Sequence, residues 1–394
     1  RFMIIQKLPY IIFRDYPNHG YLTDNRNFGY DTHSKSCRKV GDLLMSKEGS
    51  IFYSVLTEEP QTLNEIVNRL CDIFDGTPRN IIYEDAQTFY KDLNNKGFIF
   101  IATNVDSNTA IPVYFSYKNR SRTGTPSFPK SSFEFNTVFG GDQQLTRVHL
   151  DVSSQCNENC IHCYIPQKYK CNIMSELLFD DILKQCREMH VLNITISGGE
   201  PMMNPKIISI LNKCRENNFS VNLLTNLTLL TDEICEVISS NPLVSVQASL
   251  YSMDEAVHDS ITRKKGSFRK TLASINKLWE KNVPMQINCP IMKQNYESYK
   301  DVQTWAVSMN IESSADYTLF GCYDGSKSNL YCRLRNDDVK KIEIRQCNEK
   351  YANSNISMNS KQKMFCGDIP ICPVCKSSLC ISNIGDIYPC EGWQ

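Results

Sequence analysis

The sequence predicts an α/β protein: an open or partial barrel of six βα units, preceded by a small winged-helix-like unit and followed by a cysteine-rich region. Three observations predict it. Strand-like and helical patterns alternate from Arg147 onward. The 394 residues suffice for two or three domains. The eighteen cysteines are clumped rather than spread.

In residues 1–103, "MIIQKLPYIIF" and "FGYDTH" are strand-like. In "QTLNEIVNRLCDIF", Leu63, Ile66, Val67, Leu70 and Phe74 fall on one helical face, and Thr62 with Glu65 makes a capping box. "EDAQTFYKDLNNKG" predicts a helix with Phe89 and Leu93 inward and Gly97 as C-cap, and "FIFIAT" predicts a closing strand. Residues 104–143, rich in Ser, Thr, Pro and Asn, read as a linker.

Residues 144–318 carry the βα rhythm. The strand candidates are "RVHLDVS", "NITIS", "SVNLLT", "LVSVQASL", "MQINCPIM" and "ESSADYTL". Between them, Leu178, Ile182, Cys186 and Met189 share one helical face, and Leu272, Ile275 and Trp279 another. Successive βα units imply parallel strands with helices outside, and such folds place chemistry at the C-terminal ends of their strands. Residues 319–364 form a bridge without that rhythm, and residues 365–394 are cysteine-dense.

Lys and Arg (43) balance Asp and Glu (43), so no net field points to nucleic acid or an anionic membrane. No apolar run is long enough to span a bilayer, and no secretory leader is evident. Clumped thiols in a large chain favour a reducing cytoplasm and metal ligation over disulfides.

"CNENCIHCY" places Cys156, Cys160 and Cys163 at C-x3-C-x2-C spacing, just after the first barrel strand. Thiolates select zinc, copper(I) or iron–sulfur clusters, and a structural zinc site wants four ligands. Three close thiols leave one metal position open. "ISGGEP" follows the second strand, where paired glycines permit close approach and Glu200 offers a carboxylate suited to an amino group. Asn226 ends the third strand as a donor and acceptor suited to a ribose, Ser249 ends the fourth, and Arg263 suits a carboxylate.

C-x3-C-x2-C-aromatic with a downstream GGEP resembles the radical S-adenosylmethionine (SAM) superfamily. The resemblance covers about Arg147 to Tyr317 and implies a partial (β/α)6 radical SAM barrel. It makes Cys156, Cys160 and Cys163 the ligands of a 4Fe–4S cluster whose fourth iron SAM chelates. It places Tyr164 by the adenine, and Gly198, Gly199 and Glu200 by the methionine amino group. Asn226 and Ser249 would lie by the ribose and methionyl moiety, and Arg263 by the carboxylate.

In the tail, Cys372, Gly385 and Cys390 follow a C-x12-G-x4-C pattern, with Cys366 a C-x5-C step earlier. This resembles the start of a SPASM domain, an auxiliary-cluster module. The resemblance implies Cys366, Cys372 and Cys390 as ligands of one or more auxiliary 4Fe–4S clusters, which would take back an electron or bind a substrate thiolate. Cys375 stands where that family often has Gly, and the residues stop before the later CxxC array, so the domain is expected to be incomplete here through truncation. Cys171, Cys186, Cys214, Cys235 and Cys289 are expected to be small buried hydrophobes, Cys322, Cys332 and Cys347 are ambiguous, and His258 is expected to be structural.

The first 100 residues resemble the recognition element of enzymes that mature RiPPs (ribosomally made, post-translationally modified peptides), carried by "SIFYSVLTEEPQTLNEIV" and "FYKDLNNKGFIF". Such units bind a leader peptide as an added strand. A DNA-binding winged helix is the alternative, disfavoured by balanced charge. The resemblances together imply a peptide maturase resembling sactipeptide and ranthipeptide synthases. A 5′-deoxyadenosyl radical would install a Cys-sulfur-to-carbon thioether in a precursor peptide, with flavodoxin or ferredoxin as electron donor. Alternatives are carbon–carbon or other cross-linking, a formylglycine-forming sulfatase maturase, or a non-catalytic iron–sulfur or zinc scaffold.

Overall fold

The computed structural model describes residues 3–30, 32, 40–102, 144–353, 377–390 and 392. The linker expected at 104–143 and the thiols of Cys366, Cys372 and Cys375 lie outside the described residues.

The N-terminal unit holds two antiparallel sheets. β1 (Ile4–Lys7) sits between β5 (Gln61–Thr62) and β6 (Ile99–Ala102). β2 (Ile11–Asp15), β3 (His19–Asp24) and β4 (Asp42–Ser46) form the other sheet in that order. Helices α1 (Lys47–Ser54), α2 (Leu63–Ile73) and α3 (Arg79–Lys96) complete it. The Thr62–Glu65 capping box forms, Leu63, Ile66, Val67 and Leu70 are buried, and Gly97 caps α3 at φ 84°. Leu93 is buried as expected, whereas Phe89 only packs against the edge of that core. The expected strand "FGYDTH" does not form over its described residues. Instead, Phe28 and Tyr30 reach the next unit, where Asn222 Nδ2 donates to Phe28 O (3.0 Å) and Tyr30 Oη donates to Gln247 (2.7 Å). Side-chain donors and acceptors there replace the ladder partners of a strand.

The second unit is built on six parallel strands: β7 (Arg147–Ser153), β8 (Asn193–Gly198), β9 (Ser220–Thr225), β10 (Val244–Ser249), β11 (Met285–Asn288) and β12 (Glu312–Ser314). Helices α4 (Glu176–Glu188), α5 (Ile207–Glu216), α6 (Asp232–Ser240), α7 (Glu255–Thr262), α8 (Ser267–Glu280) and α9 (Tyr299–Ser308) connect them. Along β7 to β10 apolar residues turned to the helices alternate with residues of the other face, such as His149, Asp151, Asn222 and Gln247. Val148, Leu150, Ile194, Ile196, Val221, Leu223, Val244 and Val246 meet the helices in one apolar core. The opposite face lines the lumen of a partial (β/α)6 barrel. On α4 the buried face is Phe179, Ile182, Leu183 and Cys186, while Met189 is exposed. On α8 it is Thr271, Ile275 and Leu278, with Leu272 and Trp279 half-buried. Ile182, Cys186 and Ile275 are buried as expected, and the rest of each stripe is displaced by one position, forward on α4 and backward on α8.

Beyond α10 (Asn336–Asn353), the next described elements are β13 (Ser378–Ile381) and β14 (Ile387–Tyr388). β13 pairs parallel with β7, and β14 pairs antiparallel with β13. This hairpin therefore extends the barrel sheet on the β7 side. Gly385, at φ 95°, makes the turn between β13 and β14. Cys186, Cys214, Cys235 and Cys289 are buried as expected, and Cys171, expected with them, is exposed; Cys322 and Cys332, ambiguous in the sequence, are buried too.

The two units share a core. Ile12, Tyr16 and Tyr21 pack with Leu192 and Leu243. Arg14, wholly buried, donates to Val191 O (2.8 and 2.6 Å) and Phe13 O (2.7 Å), and its guanidinium lies over Phe219.

Candidate functional site

Cys156, Cys160 and Cys163 follow β7 directly, at the C-terminal end of the sheet. Backbone bonds pin their loop: Ser154 N–H to Asn172 O (2.9 Å), Asn159 N–H to Thr262 O (3.1 Å) and Ile161 N–H to Ile261 O (2.9 Å). The bridge closes over it. Tyr323 N–H donates to Tyr164 O (3.2 Å), and Asn329 Nδ2 donates to His162 O (3.1 Å). The rings of Tyr164, Tyr169 and Tyr323 line that edge, with Tyr169 and Tyr323 5.2 Å apart.

Burial pushes the Cys156 thiol up to about 12, and it pushes Cys160 well above its ordinary value. Between them Glu158 is buried, which raises its carboxyl to about 7, and its Oε2 receives the Cys160 thiol at 3.5 Å. Glu158 Oε1 and His162 Nδ1 are buried without a hydrogen-bond partner. Three soft donors on a pinned loop, beside orphaned polar atoms, fit a thiolate-ligated iron–sulfur cluster. Such a cluster draws the thiols into their thiolate form despite burial.

Gly198 and Gly199 are required by the chain's own backbone. A Cβ on Gly198 (φ 123°) would lie 2.0 Å from Ser153 O, and one on Gly199 would lie 2.5 Å from the Ser154 and Gln155 carbonyls. The GGEP turn is thus pressed against the start of the cysteine loop, with Gly199 N–H to Ser153 O (2.7 Å) and Glu200 N–H to Gln155 O (2.8 Å).

The carboxylate of Glu200, expected at a ligand ammonium, is fully buried and hydrogen-bonded within the protein. It accepts from Met202 N–H (3.0 Å), Thr225 Oγ1 (2.7 Å) and Asn226 N–H (2.8 Å). Burial raises its pKa, and these three donors oppose the rise. The carboxylate ties the end of β8 to the end of β9.

Asn226, expected beside a ribose, spends its side chain on the protein. Nδ2 donates to Asn157 Oδ1 (3.0 Å), and Oδ1 accepts from Thr228 N–H (2.9 Å) and Oγ1 (2.7 Å). Asn157 Nδ2 in turn donates to Thr228 Oγ1 (2.6 Å). Arg263, expected at a carboxylate, caps α7 in the left-handed region and donates to Tyr331 Oη (3.2 Å) at the exposed rim. Ser249 ends β10 and lies beside Tyr251, whose hydroxyl neighbours Cys160. Cys390 is a half-buried free thiol just past β14.

The sequence reading missed Asn157, Glu158 and Tyr251. Two lie inside the cysteine motif, at positions that a spacing pattern leaves blank. His258 is buried as a structural residue, with Nδ1 accepting Tyr251 N–H at 3.3 Å.

Comparison with known proteins agrees with this arrangement. Residues 150–306 match the family described as the Radical SAM superfamily. The AdoMet-dependent heme synthase of Methanosarcina barkeri is 27% identical over 176 residues, 43% of this chain and 49% of its own length. The antilisterial bacteriocin subtilosin biosynthesis protein AlbA of Bacillus subtilis is 24% identical over 288 residues, 72% of this chain and 56% of its own. The chain spans about half the length of the curated relatives it matches. Among solved structures, Streptococcus suis SuiB bound to precursor peptide SuiA has the same fold over 99% of this chain and 84% of its own, with a TM-score of 0.58 at 15% identity. No helix among the described residues is long and apolar enough to cross a membrane. The parallel core that carries the three thiols and the paired glycines is a radical SAM domain, which works with a 4Fe–4S cluster and SAM.

Proposed function

We propose that this chain matures a ribosomally made precursor peptide by radical chemistry, installing a cross-link from a cysteine sulfur to a carbon. The observation that carries the peptide substrate is the β2–β3–β4 sheet. Its β2 edge is closed by the barrel: Phe13 N–H donates to Asn218 Oδ1 (2.8 Å), and Asn218 Nδ2 donates to Ile11 O (3.1 Å). β4 is the other outer strand, and among the described residues no strand pairs with its free side. An extended leader peptide can add there as a fourth strand, with α1 beside it. AlbA, named for bacteriocin biosynthesis, and SuiB, solved with its precursor peptide, support this reading.

Held by Cys156, Cys160 and Cys163, the cluster would supply, with SAM, a 5′-deoxyadenosyl radical able to take hydrogen from carbon. The chain's own contribution is position and dryness. Glu200 and the Asn157–Asn226–Thr228 set hold the cysteine loop against the ends of β8 and β9. Tyr164 and Tyr323 cover one side of the loop and limit water there. Anchoring a leader at β4 raises the local concentration of the core peptide, so several sites can be modified with little recognition of their own sequence. Cys366, Cys372 and Cys390 remain assigned to an auxiliary cluster, and the electron donor to a flavodoxin or ferredoxin.

The test is co-expression with a cysteine-rich peptide encoded beside this protein. Each thioether costs the peptide two hydrogens, and fragmentation should place the loss on a cysteine and a partner carbon. An unmodified peptide, with SAM cleaved normally, would refute the substrate.

A further inference from the structure

The lumen face of β7 carries another set of donors, separate from the three thiols. Val148, Leu150 and Val152 join the apolar core under the helices, so the alternating residues His149 and Asp151 face the lumen. β13 runs parallel beside β7 with Cys380 opposite His149. Leu379 and Ile381 pack with the apolar core, which turns Cys380 to the lumen side as well. Cys380 is wholly buried, yet, unlike Cys186, Cys214, Cys235 and Cys289, it belongs to no apolar cluster. His149 Nε2 lies 3.2 Å from Asp151 Oδ1, and one donor atom from each of the three residues falls within 4.8 Å of the others.

We propose that His149, Asp151 and Cys380 form a zinc site whose fourth position faces the barrel lumen and holds water. One imidazole nitrogen, one carboxylate oxygen and one thiolate suit zinc, a borderline-soft ion without redox chemistry. Bonds of about 2.0–2.3 Å draw tetrahedral ligands closer than the present spread, which small side-chain rotations achieve. Three protein ligands with an open fourth position is the arrangement that leaves zinc able to bind an exchangeable ligand, whereas a purely structural site would be closed by four. The His149 side chain keeps 16% exposure, a route for the ion. Binding releases the Cys380 proton to solvent. β13 brings the third ligand, so the ion would also clamp the tail hairpin to the first barrel strand.

The test uses the full chain, reconstituted with iron and sulfide, then given zinc and desalted. Metal analysis should find a single zinc per chain beyond the cluster iron, and zinc-edge X-ray absorption should show a mixed shell with one sulfur. His149→Ala and the isosteric Asp151→Asn should each lose that zinc while iron, sulfide and circular dichroism stay unchanged. Asp151→Asn keeps the test readable where His149→Ala fails to fold. Absence of retained zinc, a sulfur-only shell, or zinc undiminished in both variants would overturn the site.

Discussion

The side-chain amide of Asn226, just past β9, donates to Asn157 inside the cysteine loop at 3.0 Å. This bond joins residues far apart in the chain and makes the C-terminal end of β9 a support for the three thiols. Asn226→Ala leaves Asn157 and Thr228 with unpaired groups at a half-buried site. The expected cost is about 1–3 kcal/mol in urea unfolding, with less iron held after reconstitution. Wild-type stability and iron content would show that the bond does not hold the loop.

Glu200→Ala removes the acceptor of three donors, from Met202, Thr225 and Asn226. Buried unsatisfied donors cost about 1–3 kcal/mol each, so the variant should lose stability as well as SAM affinity. A direct salt bridge to the SAM ammonium predicts weaker SAM binding at unchanged stability. Denaturation and SAM titration of the same preparation separate the two accounts.

Burial lowers His258 from 6.5 to about 4. The unfolded chain binds this proton more readily between those values, so stability is full above about pH 6.5 and falls as pH drops toward 4. The shift corresponds to about 3 kcal/mol at its limit. Urea midpoints at pH 7 and pH 5 should differ by more in the wild type than in His258→Gln. Equal differences would show that His258 stays hydrated.

Much of this fold is legible in the pattern of side chains. Val148, Leu150 and Val152 announce a covered strand, Thr62 and Glu65 announce a helix start, and Gly385 announces the turn that the hairpin uses. The three thiols are legible because their spacing is itself the chemistry. Orientation at strand ends is not. Glu200, Asn226 and Arg263 are polar residues near the loop, but whether each faces a ligand, a neighbour or solvent depends on donors brought in by other strands. Glu200 meets Thr225, Asn226 meets Asn157, and Arg263 meets Tyr331. The entry of β13 into the barrel sheet was equally hidden, since four residues of "SLCI" do not name their partner.

Leu44 on β4 is 39% exposed beside the free side of the sheet. Leu44→Lys should weaken binding of the leader peptide about tenfold, about 1.4 kcal/mol, by removing apolar contact from an added strand. Cleavage of SAM without peptide should stay as in the wild type. Unchanged leader affinity would move the docking edge away from β4.

The central claim is tested most directly by one anaerobic assay of the reduced, reconstituted chain with SAM and a precursor peptide, following 5′-deoxyadenosine and peptide mass together. The account predicts both products: 5′-deoxyadenosine, and a peptide lighter by two hydrogens for each cross-link. It predicts neither from the variant in which Cys156, Cys160 and Cys163 are all Ala. Undiminished 5′-deoxyadenosine from that variant, or a peptide of unchanged mass beside wild-type SAM cleavage, would contradict it.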